Sequence, residues 1–299
     1  AMTQPLDGKI ALVTGSSRGL GRSHAVVLAE RGADVIVHDI LLDEAEETLA
    51  LVRQAGREAR LITTDIRDVD AFQDAVRDAG RVDILVNNAG VGGNRAAIED
   101  VDRDIFDQMF ATHVRGTFFA TQAVVAQMKE RRAGKIVNIS SIYAMGGSRF
   151  ASHYSAAKSA ISGLTKCWAR EFAPWRINVN AVAPGFVATE SRRASIPAEQ
   201  IRERAEEMPL GRLCVLVGNI ARCSEPLPDR VRPSAPDGTD PLPLGLSLSH
   251  LLPGGRNIVG FSERLDTGTE RLLQLEVARP FLLSLTEVGL AATEEGAGR

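Results

Sequence analysis

Six short β-branched runs recur along residues 8–188: Ile10–Thr14, Asp34–His38, Glu58–Thr63, Ile84–Asn87, Lys135–Ser140 and Arg176–Ala183. Runs this short and apolar read as strands buried on both faces, as parallel strands covered by helices are. Segments with helical periodicity separate them, at Gly21–Arg31, Asp43–Gln54, Asp68–Asp78, Ile105–Arg131 and Ser152–Phe172. Parallel neighbours need crossover connections, and these are right-handed. The alternation therefore predicts an α/β fold: a doubly wound parallel sheet with helices on both faces.

The alternation stops near Leu213. Six of the 13 prolines fall between Pro226 and Pro243, a density that excludes a helix or a central strand. The chain thus divides into a sheet domain at 6–213, a proline-rich irregular linker at 214–243, and an atypical C-terminal segment at 244–299. In that last segment Leu244–Leu252 and Glu270–Leu290 are apolar enough to pack, and a helix starting at Thr269 would break at Pro280.

Charge excludes some partners. Lys plus Arg total 35 against 38 for Asp plus Glu, a formal charge of −3, which gives no reason to expect nucleic acid or an anionic membrane. No apolar run approaches the ~20 residues of a membrane helix. The polar start, Ala1 to Pro5, is not a signal peptide. Cys167, Cys214 and Cys223 are odd in number and scattered, and histidines 24, 38, 113, 153 and 250 lack ligand spacing. The expectation is a cytoplasmic protein with reduced thiols and no metal.

The first strand runs into Thr14-Gly15-Ser16-Ser17-Arg18-Gly19-Leu20-Gly21, and residues of helical composition follow. Glycines there let the backbone turn tightly and approach a pyrophosphate, and the amides of a helix N-terminus receive its charge. This makes the sheet Rossmann-like and marks Gly15, Ser17, Arg18, Gly19, Leu20 and Gly21 as a candidate dinucleotide loop. Asp39 ends the second strand, 24 residues after Gly15. A carboxylate there accepts ribose hydroxyls and repels a 2′-phosphate, which favours NAD. Arg18 argues for NADP, since a guanidinium can pair with that phosphate. Asp39 weighs more, because Arg18 can swing to solvent.

These motifs stand in order with others: Asp65-Ile66, Asn87-Asn88-Ala89-Gly90, Ser141, Tyr154-x3-Lys158, and Pro184-Gly185 followed by Thr189. Together they resemble the short-chain dehydrogenase/reductase family, with the 3-oxoacyl-[acyl-carrier-protein] reductases most alike. The resemblance covers residues 6–213, about 70% of the chain. The chemistry can also be argued from the residues. Hydride transfer to a ketone leaves an alkoxide that needs a proton, and a tyrosine supplies it if its pKa of about 10 is brought down. Tyr154 and Lys158 lie four apart on a helix and share a face, so the ammonium stabilises a tyrosinate.

The resemblance implies more. Lys158 also bonds the nicotinamide ribose, and Ser141 orients the substrate oxygen, with Ser140 its rival. Asp65 and Ile66 flank the adenine. Asn87, Ala89 and Gly90 lie beneath the cofactor, while Pro184, Gly185, Val187 and Thr189 belong to the nicotinamide side. Asn138 and Asn180 are expected to bond backbone at strand ends. The helices Ile105–Arg131 and Ser152–Phe172 suit a homodimer or homotetramer.

Two departures from the family pattern stand out. His113 takes the place of an asparagine whose main-chain carbonyl holds a proton-relay water. It is expected to preserve that relay, to accept the proton itself with a pKa of about 6.5, or only to pack beneath Lys158. After Leu213 the family's last helix and strand are missing, so residues 214–299 read either as a divergent tail or as the product of a shifted reading frame.

The substrate wall is expected from Gly92–Arg95, Tyr143–Phe150 and Phe186–Met208. Met145, Phe150 and Phe186 suit an aliphatic or cyclic ketone, and Ser191–Met208 reads as a polar helical lid bearing Arg192, Arg193, Arg202 and Arg204. Three functions follow: a 3-oxoacyl-type reductase, an NAD-dependent secondary-alcohol dehydrogenase, or a non-catalytic dinucleotide binder.

Overall fold

The computed structural model describes residues 4–92, 95–187, 189, 193–194 and 196–206. The linker at 214–243, the segment at 244–299, Arg192 and the side chain of Arg204 lie outside the described residues. So do the residues that would carry the family's last helix and strand.

The strands are β1 (Ile10–Thr14), β2 (Asp34–His38), β3 (Ala59–Ile62), β4 (Ile84–Asn87), β5 (Gly134–Ile139) and β6 (Ile177–Val182). They form one parallel sheet in the order β3-β2-β1-β4-β5-β6. The helices are α1 (Gly19–Glu30), α2 (Leu42–Gln54), α3 (Val69–Ala79), α4 (Arg103–Phe110), α5 (Gly116–Arg131), α6 (Tyr143–Gly146), α7 (Ser152–Phe172) and α8 (Ala198–Glu206).

Side chains alternate across the strands and feed two cores. Val13, Val37 and Val86 pack with Ala25, Leu28 and Leu49 of α1 and α2. Leu12, Ile36, Leu85 and Ile136 face the other way, against Phe72, Val124 and Trp168 of α3, α5 and α7. Burial on both faces explains why these strands are continuous apolar runs. Strand order reverses between β1 and β4, so the crevice beyond their C-terminal ends is where an open α/β sheet binds ligands.

One expected helix differs. Ile105–Arg131 is not continuous: α4 and α5 are separated by a π-helical turn at Ala111–Arg115. A π turn adds a residue to the helical cycle and rotates the face that follows. Here it buries Thr112 and His113. Aspartates cap two of the helices: Asp68 accepts the Ala71 amide of α3, and Asp102 accepts the Ile105 amide of α4.

Candidate active site

Two loops meet at the reversal of strand order. Thr14 Oγ1 donates to the Val86 carbonyl and accepts the amides of Asn88 and Ala89 at 3.0 Å. Asn88 Nδ2 donates to the carbonyls of Thr14 at 2.9 Å and Gly15 at 2.8 Å. Asn88 has no role in the sequence reading, although it stands inside the Asn-Asn-Ala-Gly motif. Gly15 has φ +65°, and a Cβ on it would lie 2.7 Å from Ala89 Cα. A Cβ on Gly21 would meet the Gly15 carbonyl oxygen at 2.0 Å. The loop closes this tightly only with glycine at both positions.

The residues fit a dinucleotide. α1 opens on Arg18 with no side-chain cap and no acid in its first turn, so its N-terminal amides suit an anion such as a pyrophosphate. Ser17 Oγ is buried without a hydrogen-bond partner among the described residues. Thr189 lies against Gly19, over the same loop. Asp39 is held by backbone: Oδ2 accepts the Ser17 amide at 3.0 Å, and Oδ1 accepts those of Ile40 and Leu41. Arg18 points to Glu44 at 4.0 Å, while Arg22, unremarked in the sequence, ties the Ser17 carbonyl to Glu47. Asp65 pairs with Arg67 at 2.6 Å, and the guanidinium's hydrogen bonds hold its carboxyl below the usual range. Ile66 is buried against Gly116 at the start of α5.

The Tyr-x3-Lys pair sits on α7. Lys158 is 5% exposed, and its Nζ donates to the Ile139 carbonyl at 2.8 Å. Burial pushes its pKa down to about 7. Nζ stands 5.7 Å from the centroid of the Tyr154 ring. Ser140 and Ser141 divide their tasks. Ser140 Oγ donates to the Lys158 carbonyl and shares a hydrogen bond with Ser162, fastening β5 to α7. Ser141 Oγ accepts the Tyr143 amide at 3.2 Å, and Ser141 lines the cavity with Tyr154 and Lys158.

His113 is 3% exposed. Its Nε2 donates to the Val91 carbonyl at 3.0 Å, which leaves Nδ1 a buried acceptor without a partner among the described residues. The ring stands edge-on to Tyr154, with centroids 5.7 Å apart. Burial first, and then the nearby Lys158 charge, push its pKa down to about 3. The imidazole is therefore neutral across the physiological range, which does not fit an acceptor titrating near 6.5.

Two further expectations need correction. Asn138 does not bond backbone. Its Oδ1 accepts from Asn87 Nδ2 at 2.8 Å and its Nδ2 donates to Thr165 Oγ1 at 2.9 Å, while Asn87 also reaches Thr121, so buried side chains link β4, β5, α5 and α7. The Asn180 amide likewise turns to a side chain, Asn178 Oδ1, at 3.5 Å. Met145 and Phe150 do not line the cavity: they are 44% and 45% exposed, and the Arg149 guanidinium covers the Phe150 ring at 4.6 Å.

The cavity measures about 300 Å³. Leu20, Gly90, Pro184, Gly185, Val187 and Thr189 line it together with Arg95, Ser141, Tyr143, Ser148 and Phe186. In α8, within the expected lid, Arg202 is neutralised by Glu199 at 3.1 Å. Among the described residues no acid, His or Cys cluster could hold a metal, and no helix is long and apolar enough to cross a membrane.

Comparison with known proteins agrees with this geometry. The short chain dehydrogenase family profile matches residues 9–200. The 2-dehydro-3-deoxy-D-gluconate 5-dehydrogenase of Dickeya dadantii (strain 3937) is 38% identical over 214 residues, spanning 69% of this chain and 83% of the relative. A 3-oxoacyl-[acyl-carrier-protein] reductase of Vibrio harveyi is 36% identical over 209 residues, spanning 70% and 85%. The crystal structure of carveol dehydrogenase from Mycobacterium avium in complex with NAD superposes with a TM-score of 0.65 at 30% identity, covering 71% of this chain and 88% of that one. The chain belongs to the short-chain dehydrogenase family, the NAD(P)-dependent oxidoreductases that act on CH–OH groups.

Proposed function

We propose that this chain interconverts small secondary alcohols and ketones with NAD(H), with Tyr154 as the acid/base, Lys158 as the cation beside it, and Ser141 as the donor that orients the reacting oxygen. The observation that carries the reading is that Tyr154, Lys158 and Ser141 line one cavity with Leu20 of the glycine-rich loop. When bound, the nicotinamide takes a hydride from the carbinol carbon or returns it, so that alcohol and NAD⁺ yield ketone, NADH and one proton.

The α1 amides would hold the pyrophosphate, Asp39 the adenosine ribose, and Val187 and Thr189 the carboxamide. Tyr154 holds the proton of the reacting hydroxyl. Lys158 makes that transfer easier, since an ammonium close to the phenol stabilises the phenolate. Its bond to the Ile139 carbonyl aims the amine. His113, neutral and locked to Val91, is a wall against which the phenol keeps its position.

Asp39 supports NAD over NADP. Three backbone amides fix its carboxylate, and the rival cation, Arg18, is turned to Glu44. A fixed carboxylate opposes a 2′-phosphate, and a like-charge contact of that kind costs several kcal/mol. Exposed Phe106, stacked on Phe110, and exposed Phe118, tilted against Trp168, support self-association through α4, α5 and α7.

The test is a panel of secondary alcohols and ketones with the full chain, read by nicotinamide absorbance, alongside thermal shift with NADH and NADPH. Turnover with NAD(H), and stabilisation by NADH rather than NADPH, is expected. No stabilisation by either would favour a non-catalytic chain.

A further inference from the structure

We propose that the substrate of this cavity carries a carboxylate and that Arg95 binds it. The inference rests on the dehydrogenase reading above and adds the charge of the substrate. Arg95 and Lys158 are the charged side chains on the cavity wall, and no aspartate or glutamate stands among the described lining residues. Lys158 is committed to the Tyr154 end. Arg95 lines the same cavity and is hydrogen-bonded instead to Ser148 and Arg149.

The rim is built to hold this guanidinium. Its Nη2 donates to the Arg149 carbonyl at 2.9 Å and to Ser148 Oγ at 3.5 Å, which leaves most of its five donors unspent. The Ala96 amide donates to the Phe150 carbonyl at 2.9 Å and fastens the Arg95 segment to the same loop. That loop is strained: Phe150 has φ +64°, a region unfavourable for a bulky side chain. Strain of this kind persists where the surroundings over-determine it, and it concentrates at ligand sites. The carbonyls of Arg149 and Phe150, on either side of that strained φ, are the ones that accept from Arg95 and Ala96. Arg67 and Arg81 spend their charge on neighbouring carboxylates, whereas Arg95 pairs with none among the described residues.

A ligand held by Ser141 and Tyr154 at its carbinol oxygen and by Arg95 at a carboxylate is fixed at two points. The cavity of about 300 Å³ must also take the nicotinamide, so the space left for the substrate describes a short hydroxy acid and its oxo acid. In the oxidative direction the carbinol hydride passes to NAD⁺ and the hydroxyl proton leaves through Tyr154. The carboxylate is unchanged.

The test compares lactate, 3-hydroxybutyrate and 4-hydroxypentanoate with their methyl esters, in the full chain and in Arg95→Gln. The best acid is expected to exceed its ester in kcat/KM. In Arg95→Gln that acid-over-ester ratio falls about 10- to 100-fold, mainly through KM, and Arg95→Lys recovers part of it. Esters that match or outrun the acids, or a ratio that Arg95→Gln leaves unchanged, overturn the proposal while the dehydrogenase reading stands. Oxidation of neither class, with no stabilisation by NADH, refutes that reading instead. Titration calorimetry of succinate and of succinamide into the NADH-loaded chain reads the site without turnover. Succinate binding that Arg95→Gln abolishes is expected, and equal heats from the two proteins overturn the proposal.

Discussion

Gly90 and His113 interlock beside the catalytic tyrosine, and Gly90→Ala tests the fit. A Cβ on Gly90 would lie 2.4 Å from His113 Cε1 and 3.0 Å from Nδ1. Ordinary contact needs about 3.5 Å, so the imidazole must retreat by roughly 1 Å. It has nowhere to go: Nε2 is tied to the Val91 carbonyl, the ring abuts Tyr154, and the residue is 3% exposed. Overpacking costs about 1–3 kcal/mol, and a broken buried hydrogen bond adds about 1 kcal/mol. Gly90→Ala should therefore lose about 2–4 kcal/mol in urea unfolding, and it should lose turnover as Tyr154 is displaced. His113→Ala makes room for the methyl, so the double variant should be at least about 1 kcal/mol more stable than the two single losses added together. A Gly90→Ala variant as stable as the parent, or strictly additive losses, would refute the steric argument.

Acid should destabilise the chain from near pH 6.5 downward. His24 is held to about 4 and His113 to about 3, both chiefly by burial, so between those values and 6.5 the unfolded chain binds protons that the folded chain refuses. His113→Asn should shallow that slope by about 1.4 kcal/mol per pH unit, and an unchanged slope would contradict the assignment. Lys158 acts at the alkaline end. Its pKa is lowered from 10.5 to about 7, so without cofactor its burial costs stability below pH 7, and the cost fades as pH rises toward 10.5. The stability of the parent relative to Lys158→Met should climb across that window, and a flat difference would contradict the burial argument. Asp39→Ala should shift the NAD-over-NADP ratio of kcat/KM toward NADP by about 10- to 100-fold. A constant ratio would remove Asp39 as the selector.

Side chains whose direction follows from a repeating backbone were legible in the sequence. β1, β2 and β4 begin and end at the residues expected, because a short apolar run buried on both faces is bounded by polar and turn residues. Tyr154 and Lys158 meet the same cavity because four residues on a helix return to one face. Where the backbone stops repeating, the reading failed. The π turn at Ala111–Arg115 adds a residue that apolar spacing does not register. Met145 and Phe150 looked like substrate contacts by type, but Met145 is exposed on the short helix α6, and Phe150 is exposed in the loop after it, at φ +64°. Asn138 looked like a backbone partner because its true partners, Asn87 and Thr165, are distant in sequence.

The most direct measurement is Tyr154→Phe assayed two ways, for NAD(H)-linked turnover and for thermal stabilisation by NADH. Loss of the phenolic oxygen should reduce turnover by at least about 100-fold and leave the NADH-induced shift in place. A variant that still turns over near the parental rate would contradict the proton-transfer role assigned to Tyr154.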